Sequence, residues 1–245
     1  MRNDCKGCWR RRLRLCLRAG RALSGCAPAA FLGALLAAIL AASPARAQLS
    51  GSAALVSDYG VRGMTLSRGR PEPQLRLDYD ASAGWYGGAF ASGVALPDSD
   101  ARLQLLGYGG YARRLPSGLT WEAGLLNASF PGDTEYRYHE FYAGLTRGGI
   151  GARLYYSPAY YGQGKTVYAE LNGAWPLQGR LTLSGHVGLL HPFGDGGIEA
   201  RHRIDARLAL GVDLGRLNLQ FAVVAATPAG HEAARKVAVG ATLGF

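Results

Sequence analysis

The chain has 245 residues, 48% of them apolar, with 36 glycines, four cysteines and a formal charge of +10. Nine of the 27 Lys/Arg and one of the 17 Asp/Glu fall in the first 47 residues, so the remainder holds 18 bases against 16 acids. That near balance excludes a nucleic-acid partner. Cys5, Cys8, Cys16 and Cys26 all lie in the same N-terminal stretch, so the rest has no disulfide or thiolate chemistry.

Residues 1–47 are predicted to be a cleaved signal peptide. Arg2, Lys6, Arg10, Arg11, Arg12, Arg14, Arg18 and Arg21 precede an apolar run from Ala29 to Ala42, which is followed by Ala45-Arg46-Ala47. This is a basic region, a short apolar core and an A-x-A cleavage site. The run is too short to span a bilayer comfortably. Cys26 precedes it, the wrong order for a lipoprotein anchor. Residues 48–245 then form one domain.

That domain reads as all-β, with twelve predicted strands. They are Gly51–Gly63, Gln74–Ser82, Trp85–Ala95, Arg102–Arg113, Leu119–Ala128, Tyr138–Arg147, Gly149–Ser157, Thr166–Pro176, Arg180–Leu190, Arg203–Leu214, Leu217–Ala226 and Lys236–Phe245. Leu75, Leu77 and Tyr79 alternate with Arg76, Asp78 and Asp80. Ile204, Ala206, Leu208 and Leu210 alternate with Asp205 and Arg207. Successive strand side chains point to opposite faces, so each segment has one apolar and one polar face. A soluble sandwich shows the same alternation. The connections separate the two readings, because tight links such as Ala83-Gly84, Gly148 and Gly215-Arg216 strictly alternate with longer ones. This is the pattern of an antiparallel up-and-down transmembrane β-barrel, with both termini at the tight-turn, periplasmic end. Trp85, Trp121 and Trp175 near the short turns, and Tyr136, Tyr138, Tyr155, Tyr156, Tyr160 and Tyr161 near the long loops, are expected to form the two interfacial belts.

The last strand carries Val237, Val239, Ala241, Leu243 and Phe245 on alternate positions. Ten residues suit a tilted membrane strand, and such a strand is safe from aggregation when it closes on the first. Phe245 with this pattern resembles the signal read by the barrel-assembly machinery.

Motifs for chemistry fail on inspection. Gly162-Gln163-Gly164-Lys165-Thr166 imitates a phosphate loop, but Ala159 replaces the first glycine and a strand follows. His231-Glu232-Ala233-Ala234-Arg235 lacks the second zinc-binding histidine, and His191, His202 and His231 are expected in solvated loops. No cofactor is expected. Ser184, His186 and Asn172 or Glu170 are the one arrangement from which a hydrolase could be built, yet residues i and i+2 on a strand sit about 7 Å apart. The protein is therefore expected not to be an enzyme.

The informative set is the inward charge. Asp58, Arg62, Arg76, Asp78, Asp80, Arg102, Glu122, Glu140, Arg153, Glu170, Arg203, Asp205, Arg207 and Asp213 are predicted to face the interior, eight acids against six bases. Such charges must be paired or hydrated. They form either a salt-bridged plug or a wet pore of mixed charge. Barrels of about eight strands are filled and those of about sixteen are open, so twelve allows a narrow pore.

Ser57-Asp58-Tyr59-Gly60-Val61-Arg62-Gly63-Met64-Thr65-Leu66-Ser67 resembles the opening stretch of the TorF-type porin-like family of proteobacteria. Gly84-Trp85-Tyr86-Gly87-Gly88, Phe130-Pro131-Gly132, Glu140-Phe141-Tyr142-Ala143-Gly144-Leu145 and Tyr155-Tyr156-Ser157-Pro158 are further matches. The strand Arg102–Arg113 departs from it in having fewer acids. The resemblance implies an outer-membrane barrel and a porin role, and supplies no catalytic residues. Asp58 and Arg62, four apart on the first strand, are expected to pair with each other or with Arg76 and Asp78, fixing the register of the first two strands and narrowing the mouth. The expected function is passive diffusion of small hydrophilic solutes across the outer membrane. The expected partners are membrane lipid, lipopolysaccharide and those solutes. A closed structural or adhesive barrel and a membrane hydrolase are the alternatives.

Overall fold

The computed structural model describes residues 48–97, 99–193, 202–227 and 235–245. The expected leader with its four cysteines, and His231, lie outside the described residues. In chain order come β1 (Gln48–Val56), β2 (Gly60–Val61), β3 (Met64–Thr65), β4 (Glu72–Asp80), β5 (Trp85–Gly93), β6 (Leu103–Arg114), β7 (Thr120–Ser129), β8 (Tyr138–Arg147), β9 (Ile150–Ser157), β10 (Lys165–Pro176), β11 (Leu181–Phe193), β12 (Arg203–Leu214), β13 (Leu217–Ala226) and β14 (Arg235–Gly244). β1 and β4–β14 close into a twelve-stranded antiparallel barrel, with each strand beside its sequence neighbour and β1 paired to both β4 and β14. Closure leaves the wall no edge for unwanted pairing. β2 and β3 form a separate two-stranded hairpin.

The alternation decides which face meets what. β8 is buried and exposed at strictly alternate positions over its first eight residues. Every wall strand exposes at least one large apolar side chain, among them Leu75, Leu125, Phe141, Leu154, Leu171, Leu208 and Phe221. An apolar band that encircles a closed wall is the surface of a transmembrane barrel, whose outward residues meet hydrocarbon. Tight turns join β4–β5, β6–β7, β8–β9, β10–β11 and β12–β13, and both ends of the wall lie on that side: Gln48 pairs with Asp80, and Leu243 with Leu217. Phe245 continues the pairing, its N–H donating to Gly51 O at 2.9 Å and its carbonyl accepting from Gly51 N at 3.0 Å. Its ring lies over Gly51, where any Cβ would collide with it.

Three expectations are corrected. β1 ends at Val56, not Gly63, because the chain turns into the barrel at Ser57. β11 runs to Phe193, so His191 belongs to a strand and not a loop. The outer tyrosines do not all form a belt. Trp85, Tyr111 and Trp121 do pack outward in a row beside the short turns, with ring centroids 5.2 and 5.6 Å apart. At the opposite end only Tyr156 of the expected set is an exposed large apolar residue; Tyr138, Tyr160 and Tyr161 are buried with Phe130. Interior burial of these rings offers more contact than the interface does.

Candidate functional site

The site is built from the segment that leaves β1. Val61-Arg62-Gly63-Met64 is a two-residue hairpin turn, with φ of 49° at Arg62 and 78° at Gly63. Two consecutive positive φ values define the mirror-image turn whose twist suits a hairpin, and glycine at the second position is cheap while arginine at the first is not. A Cβ at Gly63 would stand 2.5 Å from the Ala226 Cβ and 3.0 Å from the Asp205 Cβ, so the tip presses on β12 and β13. The hairpin therefore lies inside the barrel.

Each polar residue of the segment has a partner. Ser57 exchanges backbone and side-chain hydrogen bonds with Val239, extending the β1–β14 seam by one rung. Asp58 accepts from Thr65 and from Ser67 (2.9 Å), and forms an ion pair with Lys236 of β14. Burial disfavours the charged Asp58, but the bonds from Lys236, Thr65 and Ser67 outweigh it and hold the carboxyl below its ordinary value of 3.8. The Tyr59 hydroxyl donates to Gln104 at 2.6 Å. Arg62 meets Glu140 of β8 through two parallel bonds of 2.7 Å, side chains 9% and 3% exposed. Its guanidinium also faces the rings of Tyr168 at 4.3 Å and of Tyr155 and Tyr160 at 5.0 Å. A planar fork against a carboxylate, walled by aromatic faces, is an arrangement lysine does not reproduce.

Below the hairpin a polar girdle follows the wall. The Tyr86 hydroxyl donates to Glu122 at 2.8 Å and lies 2.7 Å from that of Tyr142. Arg153 donates to the same Glu122 at 2.6 Å and to Tyr155 at 2.9 Å, and Tyr155 donates to Glu170 at 3.3 Å. On β11, the two ring nitrogens of His186 lie 2.7 Å from Asn172 Oδ1 and 2.9 Å from Asp205 Oδ1, with the Tyr168 hydroxyl at 3.0 Å. Tyr86, Tyr108, Tyr142 and Tyr168 lie against Gly110, Gly88, Gly124 and Gly188 on neighbouring strands, positions where a Cβ would collide with the ring or hydroxyl. Glycine opposite tyrosine lets each ring lie along the wall instead of across the lumen.

Two cavities result. One of about 590 Å³ surrounds the hairpin and includes Asp58, Arg62, Arg76 and Glu140 in its lining. One of about 400 Å³ includes Glu122, Arg153 and Ser184. Glu170, Asn172, His186 and Arg207 line both.

The predicted charges are thus brought together differently from expectation. Asp58 and Arg62 are not on β1, and they pair with Lys236 and Glu140, while Arg76 and Asp78 pair with each other at 3.6 Å. Asp205 and Arg203 are buried on β12. Asp80 and Asp213 stand near the tight-turn end. Arg102 precedes β6 and lines a separate pocket with Arg68, Arg70 and Asp100 beside the long loops. Of the arrangement weighed for a hydrolase, Asn172 does reach His186, at 2.7 Å, but the other ring nitrogen faces Asp205 and Tyr168 and not Ser184. Sequence reasoning missed Lys236, Tyr59, Tyr168 and Gln104. Lys236 was findable, because it shares a face with Ala238 and Gly240 on the last strand.

A family model described as a bacterial protein of unknown function (Gcw_chp) matches residues 40–208. No curated protein matches the chain. Among solved structures, the barrel resembles the KdgM porin, with TM-score 0.53, 12% identity, and cover of 80% of this chain and 99% of that one. A second KdgM structure, in complex with disordered oligogalacturonate, matches with TM-score 0.53, 11% identity and cover of 80% and 98%. The NanC porin matches with TM-score 0.54, 11% identity and cover of 80% and 98%.

Proposed function

Because the chain belongs to the Gcw_chp family of bacterial proteins of unknown function, and its barrel folds as the KdgM and NanC porins do, we propose that it is an outer-membrane channel for passive diffusion of small hydrophilic solutes. One observation carries the reading: two cavities, above and below the girdle, share the polar side chains of Glu170, Asn172, His186 and Arg207. Their junction is the proposed path. Arg76, Asp78, Glu122, Glu140, Arg153, Glu170, Asp205 and Arg207 border this path or brace the residues that do, and Asp58 and Arg62 narrow its mouth by holding the hairpin. The opening motif supports assignment to the TorF-type porin-like proteins. Residues 1–47 direct export, Phe245 is the signal for barrel assembly, and the outward apolar band contacts lipid. Arg68, Arg70 and Arg102 suit the phosphates of lipopolysaccharide at the loop end.

Purified protein in proteoliposomes tests the reading. Isotonic small sugars are expected to enter and swell the vesicles, and planar bilayers are expected to show discrete conductance steps. Folded, heat-modifiable protein that gives neither result would overturn the channel. The second reading, a closed barrel acting through its loops, would then stand. It is favoured by the buried packing of Tyr59, Phe130, Tyr138, Tyr160 and Tyr161 beneath the long loops.

A further inference from the structure

Among the described residues, the arginine, lysine and carboxylate side chains that line the two cavities form ion pairs with three exceptions, Glu170, Asp205 and Arg207. Asp58 pairs with Lys236, Arg62 with Glu140, Arg76 with Asp78, and Arg153 with Glu122. Asp205 borders only the larger cavity, is 4% exposed, and has its carboxylate oxygens engaged by Tyr168 and His186. Glu170 and Arg207 make no ion pair, although Arg153, itself bound to Glu122, stands opposite Glu170 on β9. Glu170 accepts one bond from Tyr155, at 3.3 Å, and Arg207 donates to the neutral amide of Gln220. Both residues border both cavities.

Their placement follows from register. Arg207 on β12 stands opposite His186 on β11, which stands opposite Asn172 on β10, and Glu170 lies two residues from Asn172 on the same face. A free base and a free acid thus flank Asn172 and His186 on one stretch of wall. The Asn172 oxygen is taken by His186, so its amide N–H groups are left to donate. An unneutralised charge in a narrow lumen is costly unless it is hydrated or paired. An anion would answer Arg207 and be repelled by Glu170, and a cation would do the reverse. A solute with both groups answers both.

From this the geometry points to a zwitterion site at the junction of the two cavities. Arg207 and Asn172 receive a carboxylate, and Glu170 receives an ammonium group several ångströms away. The smaller cavity, about 400 Å³, limits the solute to the size of an amino acid or dipeptide. The inference rests on the channel reading for its purpose but not for its geometry.

Calorimetric titration of the detergent-folded barrel with glycylglycine, N-acetylglycine and glycinamide reads the site directly. Glycylglycine is expected to bind about tenfold more tightly than either single-charge analogue, the worth of one charge-assisted contact. Glu170→Gln is expected to abolish the preference over N-acetylglycine, and Arg207→Gln the preference over glycinamide, with heat-modifiability reporting an intact barrel in each. Should one variant fail to fold, the other alone decides. Undetectable glycylglycine binding, equal binding of the three probes, or unchanged preferences in a folded variant would overturn the site. Vesicle swelling separates the two readings: binding without swelling keeps the site and removes the channel, whereas swelling with no calorimetric preference keeps the channel and removes the site.

Discussion

Arg62 holds a left-handed backbone that a non-glycine residue adopts only under compulsion, and the compulsion is visible. Two parallel bonds to Glu140 and three tyrosine faces fix its head group, so the chain conforms to the side chain. Arg62→Ala would leave the Glu140 carboxylate buried and unpaired, a penalty of about 3–5 kcal/mol that the hairpin relieves by leaving the lumen. Single-channel conductance of Arg62→Ala is expected to rise above that of the parent while heat-modifiability persists. Unchanged conductance in the folded variant would show that this pair does not narrow the mouth. Asp58 makes a pH-dependent counterpart. Its folded pKa is depressed, so its contribution is complete above the ordinary value of 3.8 and is lost as pH falls through the lower folded value. The hairpin is therefore expected to loosen only below about pH 3.8. Conductance recorded from pH 7 downward should step up there, and Asp58→Asn should show the raised level at neutral pH without the acid step.

At the scale of elements, the hairpin of β2 and β3 is a separable insert. The wall seams β1–β4 and β1–β14 are made by residues 48–56 and do not need it. Replacing residues 58–66 with a short Gly-Ser link is expected to leave a heat-modifiable barrel with severalfold higher conductance, measured in planar bilayers. A barrel that no longer folds would mean that the hairpin nucleates closure. The twelve wall strands and the alternation of short and long links were legible in the sequence, because inside–outside periodicity and turn glycines are local signals. The insert was not. Leu55, Tyr59 and Val61 continue the alternation of β1, and Arg62-Gly63 lacks the Asn-Gly or Asp-Gly signature of a tight hairpin. The inward tyrosines were hidden for a different reason. Tyr168 beside Gly188 and Tyr142 beside Gly124 become pairs only when register is known. The partners of the lumen charges share that limit: Arg62 and Glu140 are 78 residues apart and Asp58 and Lys236 are 178 apart, distances over which no local pattern operates.

For the molecule as a whole, the outward face and the closed wall decide solubility, and in the proposed channel the lumen decides sieving. Among the described residues, no protein layer covers the large apolar side chains exposed on every wall strand. The folded protein is expected to lose monodispersity in size-exclusion chromatography once detergent is removed, and a stable monomer in plain buffer would contradict a lipid-facing band. Sieving follows from the interior. Twelve strands give a barrel wider than the filled eight-stranded type and narrower than the open sixteen-stranded type. The hairpin, the tyrosines and the girdle divide what space there is into cavities of about 590 and 400 Å³. A solute larger than the smaller cavity would have to displace the Arg153–Glu122 pair or the His186–Asp205 contact in order to pass. Swelling rates are therefore expected to fall sharply between a monosaccharide such as arabinose and a trisaccharide such as raffinose. Excision of the hairpin should raise the arabinose rate more than the raffinose rate, because the insert restricts the upper cavity while the girdle limits the lower one. Raffinose entering the parent barrel as fast as arabinose would place the constriction elsewhere and remove the girdle from the permeation path.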